Sequence, residues 1–295
     1  GTTLRLVLPL AAAMGRPSRF VGHGRLPARP LREYEGILGP QGIKFDFPKT
    51  GSLPLNISGQ LRPGCFSLRG DISSQYLSGL LLALPLLQGD SVIELTTQLE
   101  SAPYVDMTIK TMRRFGVQIK LVAANQPDSE ATAAETGKFI VPGGQSYKPA
   151  PYTVERDYSQ AAFWLTADLF SNCLQVEGLA AGSCQGDRLI IDILAEFEAG
   201  QAEGKNSYIV DAAQIPDLVP IIAVAATQVD AVTRIGRAAR LRFKESDRLA
   251  STSAALNAVG ADVNETADGL EIRGGRYNRN YQPADYADKQ QGIRQ

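Results

Sequence analysis

Apolar residues along the chain follow two spacings, and one succession of them recurs. A stretch with apolar positions at helical intervals runs into a glycine, and a short alternating segment follows. GILGPQGIKFDF ending at Phe47, MRRFGVQIKLV ending at Val122 and ALNAVGADVNE ending at Glu265 share this pattern, and ILAEFEAGQAE ending at Glu203 is a weaker copy. Glycine is the natural left-handed stop after a helix, and period-two alternation suits a strand with one buried face. The spacing therefore predicts repeated helix-then-strand units, the pattern of an α/β protein.

A second recurrence runs strand, Asp, Ser, polar residue, apolar helix: LRGDISSQYLSGLLLALPL (Leu68 to Leu86) and VERDYSQAAFWLTADLF (Val154 to Phe170). Side-chain oxygens of Asp71 or Ser73, and of Asp157 or Ser159, are placed to accept from first-turn amides. The stretch PAPYTVERD (Pro149 to Asp157) reads as the crossover between two halves, 1–150 and 151–295, and the cleft is expected there. The apolar run Leu4 to Met14 carries Arg5 and is too short to span a bilayer, so it reads as a buried helix. At the edges, GTTLRLVLPLAAA opens with no strand to pair with. The polar tail after Tyr277 lacks core residues, so the expectation is a fold incomplete at both ends.

Length and charge narrow the function classes. With 295 residues and 44% hydrophobic content, a large core split between two domains is affordable. Thirty basic against thirty-one acidic residues leave a formal charge of -1, so no global field recruits nucleic acid or an anionic membrane, and an anion site must be local. Cys65, Cys173 and Cys184 are odd in number and widely spaced beside a single histidine, His23. That supports neither a disulfide framework nor a zinc site, and a reducing cytoplasm fits best.

Five segments carry candidate chemistry. In ARLRFKESDRL, Lys244 and Arg248 are four apart and would share a helical face with Glu245 beside it, two cations and a carboxylate converging on an anion. Asp217 follows Pro216 at the threshold of the apolar helix in IVDAAQIPDLVPIIAVAAT. There the helix dipole would hold it ionised, able to take a proton from a bound hydroxyl as general base. GDISSQ offers Ser73, Ser74, Gln75 and free N–H groups at a helix start, a phosphate cradle. ESAPYVDMTIKTM repeats the theme with Ser101 and Tyr104 before a helix, and GHGRLPARPL sets Arg25 and Arg29 in a Pro-rich loop.

In this order, GTTLRL, LPARPL, GDISSQYLSGLLLALPL, ESAPYVD, GGQSY, QIPDLVPIIAVAA and KESDRL resemble the signatures of the 5-enolpyruvylshikimate-3-phosphate synthase family, from Gly1 to about Gly274. The resemblance implies a two-domain inside-out α/β barrel of repeated βαβαββ units that closes on its ligands. It implies transfer of the carboxyvinyl group of phosphoenolpyruvate to the 5-hydroxyl of shikimate 3-phosphate, a step of aromatic amino acid biosynthesis, by a cytoplasmic monomer without metal or organic cofactor. Carried over, Ser73, Ser74, Gln75, Ser101 and Tyr104 would hold shikimate 3-phosphate, while Gly1, Arg29 and Arg248 would meet phosphoenolpyruvate. Asp217 and Lys244 would contact the reacting hydroxyl, and Glu245 would be the acid that protonates the methylene carbon.

The departures carry expectations of their own. The family's Lys-Ser pair and Arg near its N-terminus would precede Gly1, and its Asp-His-Arg signature is replaced by DYADKQQGIRQ, so this chain alone is expected to have little or no turnover. Arg240, where some relatives have a polar contact residue, is left out of the expected site. One rival is UDP-N-acetylglucosamine enolpyruvyl transferase, whose reactive cysteine loop has no counterpart in LRPGCFSLRG. The other is a non-catalytic remnant that keeps the cradle without the reaction.

Overall fold

The fold comes from a computed structural model that describes residues 1–123, 132–134, 136–171 and 173–275. In chain order the first lobe contains α1 (Thr2–Ala13), β1 (Ser18–Phe20), α2 (Glu33–Leu38), β2 (Ile43–Asp46) and β3 (Leu55–Gly59). It continues with β4 (Cys65–Leu68), α3 (Ser74–Ala83), β5 (Ser91–Leu95), α4 (Ala102–Arg114), β6 (Lys120–Ala123) and β7 (Thr136–Val141). The second contains α5 (Tyr158–Ser171), α6 (Ile190–Ala202), β8 (Ser207–Asp211), α7 (Val219–Thr227), β9 (Val232–Gly236), α8 (Arg248–Ala258), β10 (Asp262–Glu265) and β11 (Leu270–Arg273). The tail after Tyr277 lies outside the described residues.

Two of the sheets are built alike. β4-β5-β7-β6 and β8-β9-β11-β10 both run first, second, fourth, third strand, with a parallel first pair and antiparallel pairs after it. Each is a βαβαββ unit, because a parallel pair needs a crossover and α3 and α7 supply it. The third sheet, β1-β3-β2, repeats the last three places of that order. Strands alternate buried and exposed positions, as in β8, where Tyr208 and Val210 face inward and Ile209 is 84% exposed. By contrast α3 is buried at Tyr76, Leu77, Leu80 and Leu81 between α1 and α4, and α7 is apolar on nearly every side. Helices therefore occupy the centre and sheets the outside, the inverse of an ordinary layered α/β domain.

Buried side chains collect into two cores. One gathers Leu8, Tyr34, Leu80, Ile93, Val105 and Phe139, and the other Ile190, Phe197, Ile222, Ile235, Leu249 and Ile272. Edge-on aromatic pairs sit in each, Tyr34 on Tyr76 at 4.7 Å and Phe197 on Tyr208 at 4.9 Å between ring centroids. Residues 142–157 carry the chain from one core to the next.

Three expectations need correction here. In ILAEFEAGQAE the helix does not stop at Gly200; it continues to Ala202, and the left-handed residue is Gly204 (φ +73°). Gly200 is glycine for another reason: a Cβ there would run into the Tyr208 hydroxyl. No strand precedes Asp157, because Val154 is 81% exposed and has no core to alternate against. The Leu4–Met14 helix is buried on one face only, through Arg5, Leu8 and Ala12, with Val7 and Met14 exposed.

Candidate active site

The loops that follow the two parallel strands of each βαβαββ unit all open on one cleft of about 840 Å³ between the lobes. From β4 the chain reaches Ser73 and Ser74, and from β5 it reaches Ser101 and Tyr104. From β8 it reaches Asp217, and from β9 Arg240, Lys244, Glu245 and Arg248. Of the helices that follow these loops, α3 and α4 open directly on the cleft and turn the positive ends of their dipoles toward it. The arrangement favours anions before any side chain is counted.

In the first lobe the loops after β4 and β5 line the cleft with hydroxyls and an amide beside Asp71, while Arg5, Arg29 and Glu33 border it from elsewhere in the lobe. Ser73 caps α3 in extended backbone, its hydroxyl accepting from the Gln75 amide at 3.3 Å, with Ser74 beside it. Asp71, the other candidate cap, instead pairs with Arg69 and accepts from Thr97. The Gln75 carboxamide accepts from Arg5 (2.9 Å) and donates to Thr2 (2.8 Å), so α1 fixes its orientation in the wall. Tyr104 lies within the first turn of α4, not before it as expected, and its hydroxyl donates to the Asp217 carboxylate of the other lobe at 2.8 Å.

The second lobe brings charge. Asp217 lies in a single 3₁₀ turn, Pro216–Leu218, and caps nothing. Burial would raise its pKa, but nearby Lys244 and hydrogen bonds from Tyr104 and Arg248 outweigh it, and the carboxyl is held below its ordinary value. The direction is the expected one, and these cations and the phenol bring it about. Lys244 is depressed from its ordinary value, chiefly by burial, with Asp217 opposing. Burial and the neighbouring carboxylates push the Tyr104 phenol far up, so it stays a donor.

Lys244, Glu245 and Arg248 do not share a helical face. A 3₁₀ segment, Ala239–Phe243, ends before Lys244, and α8 starts at Arg248 with Asp247 as its cap, accepting from the Ala250 amide at 3.0 Å. The three converge because the intervening loop folds back over the cleft. Arg248 donates to Asp217 (2.5 Å) and to Glu245 (3.0 Å), and Glu245 also accepts from Arg29 of the first lobe at 2.9 Å. Glu245 is pulled down to about 2, first by its own backbone amide and then by Arg248 and Arg29, with burial opposing. Gly1 stands against Arg29, where a Cβ would meet the guanidinium.

Every expected site residue therefore lies in the cleft wall or is one contact from it: Gly1, Glu245 and Arg248 join through Arg29 and Asp217, the rest line it directly. Arg25 stays in the loop before a short 3₁₀ turn, Leu26–Ala28, outside the cleft lining. The crossover segment 149–157 does not line the main cleft; with α4 and Asp187 it borders an adjoining cavity of about 400 Å³. Arg240, set aside on sequence grounds, lines the main cleft and contacts the first lobe. It stands four residues before Lys244, the same interval that singled out Arg248. Among the described residues no group of three His, Cys, Asp or Glu side chains could hold a metal, and no helix is long and apolar enough to cross a membrane.

Comparison with known proteins places this geometry. Residues 1–287 match the family model described as EPSP synthase (3-phosphoshikimate 1-carboxyvinyltransferase). The chain is 42% identical over 282 residues to a 3-phosphoshikimate 1-carboxyvinyltransferase of Clostridium acetobutylicum, covering 93% of this chain and 63% of that relative. A relative of the same name from Clostridium kluyveri is 42% identical over 284 residues, with 93% and 64% covered. The chain thus spans about 63% of the length of the curated relatives it matches. A solved EPSP synthase from Acinetobacter baumannii superposes with a TM-score of 0.65 at 22% identity, over 93% of this chain and 63% of that one, a likeness that speaks to fold. With the sequence match running through both lobes and every segment that meets at the cleft, this chain belongs to the EPSP synthase (3-phosphoshikimate 1-carboxyvinyltransferase) family.

Proposed function

We propose that the cleft binds shikimate 3-phosphate and phosphoenolpyruvate and transfers the carboxyvinyl group to the 5-hydroxyl of the acceptor, releasing phosphate. The observation that carries the reading is the charge cluster across the cleft, in which Arg248 bonds both Asp217, ionised beside Lys244, and Glu245, and Glu245 accepts from Arg29 of the opposite lobe. A division near residue 150 belongs to the same reading, since it gives each lobe one of the two buried cores.

In this assignment Ser73, Ser74, Gln75, Ser101 and Tyr104 hold the phosphorylated acceptor, and Gly1, Arg29 and Arg248 receive phosphoenolpyruvate. Asp217, with Lys244 beside it, takes the hydroxyl proton as the oxygen attacks C2 of phosphoenolpyruvate. Glu245 delivers a proton to C3, giving a tetrahedral ketal, which loses phosphate as the methyl group returns a proton. At a pKa of about 2 Glu245 is ionised and holds no such proton while Arg29 and Arg248 pair with it. Its partners explain how it acquires one. Arg29 and Arg248 are also the side chains assigned to phosphoenolpyruvate, so the incoming anion displaces Glu245 from both, and a carboxylate beside an anion without its cations is raised. Substrate binding would then arm the acid.

The test is calorimetric titration of the chain with shikimate 3-phosphate, phosphoenolpyruvate and UDP-N-acetylglucosamine. Heat from shikimate 3-phosphate, with phosphoenolpyruvate binding more tightly once it is present, is expected. Binding of the nucleotide sugar instead would move the assignment to the related transferase, and binding of neither acceptor would sink it. A monomer in a reducing cytoplasm goes with this reading, and sedimentation of the purified chain checks the first half.

A further inference from the structure

Ser101 is one of two described non-glycine residues with a left-handed backbone (φ 56°, ψ 38°), and it is buried at the start of α4. Such a conformation is unfavourable in a residue with a Cβ and persists where its surroundings over-determine it. Those surroundings come from the other lobe. The Ser101 amide donates to the Ala213 carbonyl at 3.0 Å, and the Ala102 amide donates to the Gln214 side chain at 2.7 Å, which returns a bond to the Leu99 carbonyl at 3.0 Å. Arg240 closes the cluster. Its guanidinium donates to the Ser101 hydroxyl (2.9 Å) and to the Ala213 carbonyl (2.5 Å) and pairs with Glu100 at 3.1 Å.

We propose that Arg240 is a positioning residue. It clamps Ser101 in its left-handed geometry and ties the loop Leu99–Ala102 of the first lobe to Ala213–Gln214 of the second, presenting the serine hydroxyl to a phosphorylated acceptor. A serine oxygen has one O–H to donate. With Arg240 occupying one lone pair, that hydrogen is free to turn into the cleft, which Ser101 lines. A guanidinium suits the task because both hydrogen bonds leave a single nitrogen while Nε lies beside the Glu100 carboxylate, and the planar group fixes the direction of that nitrogen in a way a freely rotating lysine ammonium does not. The inference rests on the reading that the cleft takes a phosphorylated acceptor, and it adds a residue that acts through Ser101 rather than on the ligand.

Arg240→Lys keeps a positive charge beside Glu100 and preserves folding, and Arg240→Ala removes it. In the ligand-free protein, hydrogen exchange of the Ser101 and Ala102 amides is expected to rise at least about tenfold in both variants, with amides of β5 unchanged. The dissociation constant for shikimate 3-phosphate is expected to rise about tenfold in Arg240→Lys, while the double variant with Ser101→Ala binds within about twofold of Ser101→Ala alone. Unchanged exchange overturns the clamp, and additive losses overturn its action through Ser101. If the unaltered protein does not bind shikimate 3-phosphate the functional reading fails, and the exchange measurement still decides whether Arg240 clamps.

Discussion

The two βαβαββ units share strand order, strand direction and the placement of their crossover helices, yet the loops they send to the cleft differ in kind. After β4 and β5 the first unit offers the hydroxyls and amide of Ser73, Ser74, Gln75, Ser101 and Tyr104. After β8 and β9 the second offers Asp217, Arg240, Lys244, Glu245 and Arg248. Topology fixes where these loops point, and loop residues fix what they do there. Neutral donors at helix starts can fix a phosphate without changing protonation. The paired charges are the groups able to move protons, so under the proposed function acceptor binding falls mainly to one copy of the design and proton transfer to the other.

Substitutions on either side break that division in different quantities. Asp217→Asn keeps the shape and the Tyr104 contact but removes the base, and whatever phosphate release the unaltered chain gives is expected to fall by about 10²–10⁴ with acceptor affinity changed far less. Comparable losses in both would show that Asp217 binds rather than reacts. Ser74→Ala is the counterpart in the first unit. Ser73, not Ser74, caps α3, so melting temperature should hold while the dissociation constant for shikimate 3-phosphate rises about tenfold, one charge-assisted hydrogen bond's worth. An unchanged affinity in that variant removes Ser74 from the cradle.

How far this contrast can be read without coordinates differs between backbone and contacts. The glycine-stopped helices before β6 and β10 are legible because Gly116 and Gly260 take left-handed backbone directly past the helix, whereas before β2 the helix ends at right-handed Gly39 and the left-handed Gly42 comes only at the strand. Gly200 looked the same and was not, since close approach of Tyr208 also demands glycine and leaves no mark in the local pattern. KESDRL is legible as a charge cluster but not as a loop: four-residue spacing suits a helical face, and extended backbone at Lys244 and Asp247 interrupts the helix that spacing implies. Arg240 is left out on sequence grounds because some relatives have a polar contact residue there, and its partners Ser101 and Ala213, distant in sequence, leave no local sign of its contacts. Local periodicity predicts elements; it says little about which buried cation meets which backbone carbonyl.

Two carboxylates sharpen the contrast through opposite pH behaviour. Asp187 is 3% exposed, and burial raises its pKa to about 6 despite a hydrogen bond from Ser159, with Asp217 and Asp157 adding to the rise. The folded state then holds the proton more tightly than the unfolded one. Its share of stability is complete below the ordinary value of 3.8 and is lost as pH rises through about 6. Asp187→Asn should therefore stabilise the protein by roughly 1–3 kcal/mol at pH 8 and change little at pH 4. Thermal melts at the two pH values check this, and equal effects at both would mean that Asp187 is not titrating between them.

Glu245 gives the smallest effect and the most direct view of the proposed acid. Its folded-state pKa, about 2, lies below the ordinary 4.5, so its contribution is present above pH 4.5 and fades as pH falls toward 2. The side chain is 61% exposed, and screening keeps that contribution small. Arg29→Gln removes one of its two cations and leaves Arg248 in place. The Glu245 titration, followed by carboxyl carbon NMR, should move upward yet stay below 4.5, because the backbone bond and Arg248 persist. Phosphoenolpyruvate added to the unaltered protein with shikimate 3-phosphate should drive it further in the same direction, since it claims both arginines and adds negative charge of its own. A titration that ignores Arg29 yet responds to ligand would trace the shift to the ligand's charge alone. One that ignores both would leave the second unit's carboxylate a structural tie between lobes rather than the group that protonates C3.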